Sequence, residues 1–181
     1  MSRLPELQPH ALSPEQTRIY EAIGATRRGR VSGPFGIWLR IPQLAGAASQ
    51  LGNLLRGNGQ LERRLVELIV LIVARRWSAN YAWSVHQEYA LEAGLEPEVV
   101  EAIRTHRLPT LRQEDEQIVY EVVTELLNMR RLSSPSYDRA LAALGEPRLI
   151  ELIATVGFYT MVGMTLSVFE VDARDGSRPL D

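Results

Sequence analysis

The stretch Leu65-Val66-Glu67-Leu68-Ile69-Val70-Leu71-Ile72-Val73-Ala74 constrains this chain more than any other. A helix that is apolar around its whole circumference has to be covered on every side. Other elements must therefore wrap around residues 65–74. The run is about half the length of a membrane span. Its one ionisable group is Glu67. A carboxylate is almost never buried without a partner, so some group in the chain has to face it.

The remaining segments also read as helix. Ser13-Pro14-Glu15 is a start signal: Ser caps, Pro suits the first turn, and Glu favours the positive end. A helix is expected from about Pro14 to Thr26, followed by a loop from Arg27 to Pro34. Pro42 opens a second helix that ends near Gly57-Asn58-Gly59. Further helices are expected from about Leu61 to Trp77, Asn80 to Ala93 with Gly94 as the C′ residue, and Pro97 to Thr105. After the break at Pro109, the acidic run Glu114-Asp115-Glu116 suits a first turn, and that helix should end near Arg130-Arg131. Ser134-Pro135 repeats the start signal, and the last long helix is expected from Pro147 to Val168. No alternating strand pair is visible, so the expected class is all-α. The division is an N-terminal arm over residues 1–13, a helical domain over 14–171, and a polar tail over 172–181 that should be extended or mobile.

A length of 181 residues fits one domain with short extensions. The net charge of −2 provides no strong field toward nucleic acid or an anionic membrane, so neither is expected as a partner. The chain has no cysteine, which excludes disulfides, thiolate nucleophiles, Cys-ligated metal and CxxC redox chemistry. It has no lysine, which excludes a Schiff base and a P-loop. The first residues hold no apolar signal core, and the expected compartment is the cytoplasm.

A weak repeat relates Arg64-Leu65-Val66-Glu67-Leu68-Ile69 to Arg148-Leu149-Ile150-Glu151-Leu152-Ile153. It reads either as two core helices with a common pattern or as a duplicated unit. Glu170 occupies the position that corresponds to His86, so histidine chemistry is confined to the first copy.

His86 is the candidate partner for Glu67. Its helical neighbours Ala79, Ala82, Trp83, Tyr89 and Ala90 form a small and aromatic stripe. With a turn near Ser78-Ala79, an antiparallel helix pair places the two residues about 6 Å apart along the axis. Axes about 8–10 Å apart let the side chains meet, directly or through water. The functional reading is a carboxylate that orients an imidazole for proton transfer. The bland reading is a buried Glu satisfied by Arg beside a core histidine. Tyr81 and Trp83 either line a pocket or fill the core. Arg27, Arg28 and Arg30 either meet substrate carboxylates or are solvated. His10 and His106 lack metal-ligand spacing, and no metal is expected. Gly33-Pro34-Phe35-Gly36-Ile37-Trp38 is too apolar for an exposed loop and should cover a pocket or meet another subunit.

Gly33-Pro34-Phe35, Pro42-x-Leu44-Ala45, Arg64-x-x-Glu67, Tyr81-x-Trp83-x-x-His86 and Ala93-Gly94-Leu95, in this order, resemble the carboxymuconolactone decarboxylase family of the AhpD-like superfamily. The resemblance runs from about residue 14 to residue 171 and implies an AhpD-like helical bundle. AhpD-type members carry Glu, CxxC and His; here these fall on Glu67, on Ala79 and Ala82, and on His86. With both thiols gone, the resemblance implies the cysteine-free decarboxylase branch and argues against the peroxidase cycle. Two departures remove polar groups: Ala82 stands where a Glu is common, and Ser167 where an Asn is common. The implied activity is a lyase reaction, decarboxylation of a small carboxylated lactone or related proton-transfer chemistry in aromatic-compound degradation, without cofactor. His86 and Glu67 are the implied catalytic pair, with Tyr81, Trp83 and Arg64 as substrate-binding residues. The resemblance further implies a homo-oligomer, a trimer or a hexamer. A non-catalytic helical binding protein is the rival reading.

Overall fold

Eight α-helices build the described part of the chain: α1 (Pro14–Ala25), α2 (Pro34–Trp38), α3 (Pro42–Gly57), α4 (Arg63–Arg76), α5 (Asn80–Glu92), α6 (Pro97–Arg104), α7 (Glu114–Met129) and α8 (Ser134–Val168). This computed structural model describes residues 2–27, 29, 31–57, 59–173 and 175–181. Arg28 and Arg30 of the basic cluster, and Asn58 of the turn after α3, lie outside the described residues. Among the described residues there is no strand, and the fold is all-α.

The apolar run forms the axis of the molecule. In α4 every residue from Arg64 to Ala74 is buried. Helices α5, α7 and α8 pack most closely around it, with α3 and α6 completing the cover. This is the arrangement that an all-round apolar helix requires. The first start signal works as its chemistry dictates, while at the second the cap is Ser133 and the expected Ser134 is already the first helical residue. Ser13 accepts from the Gln16 backbone N–H while the Gln16 side chain accepts from the Ser13 N–H, a reciprocal cap. Ser133 accepts from the Ser136 N–H at the start of α8.

Three features differ from expectation. Residues 34–38, placed in a covering loop, form a short buried helix, α2, entered through Gly33 at φ 62°. The Tyr81 ring packs where a Cβ on Gly33 would stand, so both the left-handed backbone and the close approach call for glycine. The second difference is in α8, where the helices expected to start at Ser134 and Pro147 follow one another directly; Gly145 at φ 75° marks the break between them. By length and composition α8 could cross a membrane, but half of its most apolar window is buried inside the fold. The third is the tail, which is pinned rather than loose. The Leu180 N–H donates to Asn80 Oδ1, Arg75 donates to the Leu180 carbonyl, and Arg104 donates to the Pro179 carbonyl. At the other end, the Arg3 N–H donates to the Phe169 carbonyl and ties the arm to the end of α8.

Candidate active site

A tight turn makes the central contact. Ser78 takes φ 45° and the Ala79 N–H returns to the Ala74 carbonyl, so α5 folds back along α4. His86 Nδ1 then lies 2.7 Å from Glu67 Oε2, across 19 residues of sequence. The contact is direct, and both residues are buried, Glu67 2% exposed and His86 7%. If Glu67 is a carboxylate it can only accept, which makes Nδ1 the donor of this pair. Nε2 has no hydrogen-bond partner among the described residues. The ring is held edge-on by Tyr89, 5.8 Å between centroids, and by Tyr159, 5.2 Å. Arg63 Nε stands 3.9 Å from the other Glu67 oxygen.

His86 lines a cavity of about 200 Å³. One wall comes from Arg27, Ser32, Pro34 and Phe35, and another from Tyr81, Ala82, Val85 and Tyr89 on α5. Phe158, Tyr159 and Val162 of α8 supply the apolar side, and Arg56 at the end of α3 adds a second guanidinium. Glu67 faces a different, neighbouring cavity of about 480 Å³, together with Arg63 and Glu92. Arg56 and Tyr89 border both spaces, so the Glu67–His86 pair spans the partition between them.

The electrostatics of the first cavity are unbalanced toward positive charge. Burial, and then the like charge of Arg56, lower the Arg27 pKa to about 10. Burial raises the Tyr159 phenol above its ordinary value, so it stays protonated through the working pH range. The Tyr81 and Ser32 hydroxyls are 2.6 Å apart.

The residues singled out from sequence separate into two groups. Tyr81 and His86 line the cavity, and Glu67 stands directly behind His86. Trp83 does not reach the cavity: it is fully buried and its Nε1–H donates to Gln87 Oε1 at 3.0 Å. Arg64 does not reach it either. It bridges α4 to α7, donating to Asp115 Oδ2 at 2.8 Å and to Glu116. Burial opposes its charge, but those two hydrogen bonds prevail and raise its pKa. Of the two departures from the family pattern, Ala82 lines the cavity, while Ser167 is exposed and lies outside it. His10 and His106 are exposed and apart from this site. The repeat's second carboxylate, Glu151, accepts from the Gln60 and Leu61 backbone N–H groups and secures the turn before α4. Arg56 and Tyr159 are cavity residues that the sequence does not announce. Arg56 in a last helical turn reads as a charge that complements the helix dipole. Tyr159 reads as one more apolar residue of α8.

Glu67 and His86, paired across an α4–α5 hairpin, are also the residues on which the sequence resemblance centred. Residues 42–125 match the carboxymuconolactone decarboxylase family. The segment includes Glu67, Tyr81, Ala82 and His86. It excludes Arg27, Phe35, Phe158 and Tyr159, so much of the cavity wall comes from outside the matched part. No curated protein matches the chain.

Proposed function

We propose that this chain is an enzyme of the carboxymuconolactone decarboxylase type, performing cofactor-independent decarboxylation or related proton transfer on a small carboxylated lactone. The observation that carries this reading is the buried 2.7 Å contact between His86 and Glu67 on the wall of a partly open cavity. In such a reaction the bond from carbon to the carboxylate breaks and carbon dioxide leaves. The electron pair moves through the conjugated system to the lactone carbonyl. A proton then returns to carbon.

His86 is suited to deliver that proton. With Nδ1–H committed to Glu67, Nε2 is the nitrogen that gives a proton to carbon and takes one back from solvent. The Glu67 carboxylate stabilises the imidazolium between these steps. In this reading the Tyr81 hydroxyl, on the same wall, accepts from Ser32 and donates to the developing oxyanion. Tyr159 supplies a rigid apolar face. The absence of cysteine removes the thiol cycle of the antioxidant relatives. The expected homo-oligomer remains part of the proposal. Ile41, Leu44, Leu51 and Leu54 are exposed on and beside α3, the kind of apolar face that another copy covers.

The direct test is incubation with carboxymuconolactone while carbon dioxide release is measured. Turnover that is lost in His86→Asn, with the fold intact, is the expected outcome. No release by the parent protein would overturn the assignment.

A further inference from the structure

Two guanidinium groups line the cavity, and no Asp or Glu side chain stands on its wall among the described residues. Arg27 follows the C-terminus of α1 and stacks on Phe35, with its guanidinium carbon 3.9 Å from the ring centroid. Its Nε is buried without a hydrogen-bond partner. Arg56 donates from Nε to the Gly52 carbonyl at 3.0 Å and from Nη2 to Asn53 Oδ1 at 3.3 Å. Both groups converge on Gly52, because Arg27 Nη2 lies 3.6 Å from the position a Cβ there would take. Neither arginine has a carboxylate within ion-pair distance among the described residues. Like charges held together in a partly desolvated space repel, and burial of an uncompensated charge is costly. An anion entering the cavity would relieve both penalties.

We propose that Arg27 and Arg56 form an anion subsite that anchors a carboxylate of the ligand, and that this carboxylate is not the one the reaction removes. The inference rests on the cavity being the substrate chamber. Charge-assisted hydrogen bonds from two guanidiniums stabilise a carboxylate ion. Neutral carbon dioxide would keep little of that stabilisation, so cleavage at this subsite would forfeit it at the transition state. The reacting carboxylate therefore belongs on the aromatic side, among Tyr81, Phe158 and Tyr159, within reach of His86. The ligand class is a small compound with two anionic groups, one anchored and one reacting. Arg27 lies outside the family-matched segment and Arg56 inside it, so the subsite joins the matched part to this chain's N-terminal part.

Calorimetric titration with sodium benzoate and with benzamide, its neutral counterpart, tests the subsite without turnover. Benzoate should bind saturably, and benzamide at least about tenfold more weakly. Arg27→Met and Arg56→Met should each weaken benzoate by about tenfold and leave benzamide unchanged, with benzamide serving as the check that the cavity is intact. Arg27→Lys, which keeps the charge, should recover part of the benzoate affinity. A parent protein that shows no saturable benzoate binding would overturn the proposal, as would Met variants that bind benzoate undiminished. Failure of the proton-transfer reading looks different: His86→Asn would keep full turnover while benzoate binding stayed dependent on the two arginines.

Discussion

Arg64 and Glu67 sit one turn apart on α4, and both are buried, yet their surroundings are opposite in kind. Arg64 is closed, because Asp115 and Glu116 of α7 meet its two terminal nitrogens and Glu62 stands 3.6 Å away. The one cation of that cluster is met by three carboxylates, and the cluster ties two core helices together. Glu67 meets one imidazole at hydrogen-bond distance and the half-exposed Arg63 only at 3.9 Å, and among the described residues that imidazole keeps a nitrogen without a partner at a cavity holding two arginines with no carboxylate in ion-pair range. Burial alone does not separate structure from chemistry in this helix. What separates them is whether the local hydrogen-bond and charge inventory is complete.

The sharpest way to break this contrast is through His86. His86→Asn should lower turnover by about 10²–10⁴-fold with little change in melting temperature. Glu67→Gln should cost a comparable factor, and the double variant little more than the worse single one, because the two act as a unit. Equal losses that simply multiplied would deny the coupling. At the other end of the contrast, Arg64→Ala leaves two acids without their cation. Urea denaturation should show a loss of about 3–5 kcal/mol, while the protein that remains folded keeps its activity. A smaller effect is expected at Gly52, where an added Cβ would lie 2.9 Å from Phe158. Gly52→Ala should cost about 1–3 kcal/mol and reduce ligand binding by crowding the cavity. The smallest stability change belongs to Arg27→Met, which keeps contact with Phe35 but removes one of two repelling charges. Its ligand-free melting temperature should equal or exceed the parent's, and a large drop would place Arg27 with Arg64 as a structural charge.

Much of the helical frame was legible because the stops and starts are chemical. Ser13-Pro14 and Ser133 cap helices, and prolines open α1, α2 and α6. The Glu67–His86 pair was legible for a related reason: an all-apolar helix admits one carboxylate only with a partner, and the turn at Ser78 sets which residue can reach it. Arg64 was harder to place. The acids that neutralise it are 51 and 52 residues away, and in sequence they serve as an ordinary acidic first turn. The buried helix α2 was hidden by Gly33-Pro34, which locally signals a loop and globally positions Tyr81. Arg56 was hidden by its helix-end position, and the docking of the tail depends on Asn80, Arg75 and Arg104, three residues with no local mark.

The central claim is that Glu67 commits one imidazole nitrogen and leaves the other to the cavity. Nitrogen-15 NMR of the His86 ring, recorded where the imidazole is neutral, tests it most directly. The expected spectrum shows a protonated Nδ1 and a bare Nε2, with that preference weakened in Glu67→Gln. A spectrum showing Nε2 protonated and Nδ1 bare in the parent protein would contradict the account.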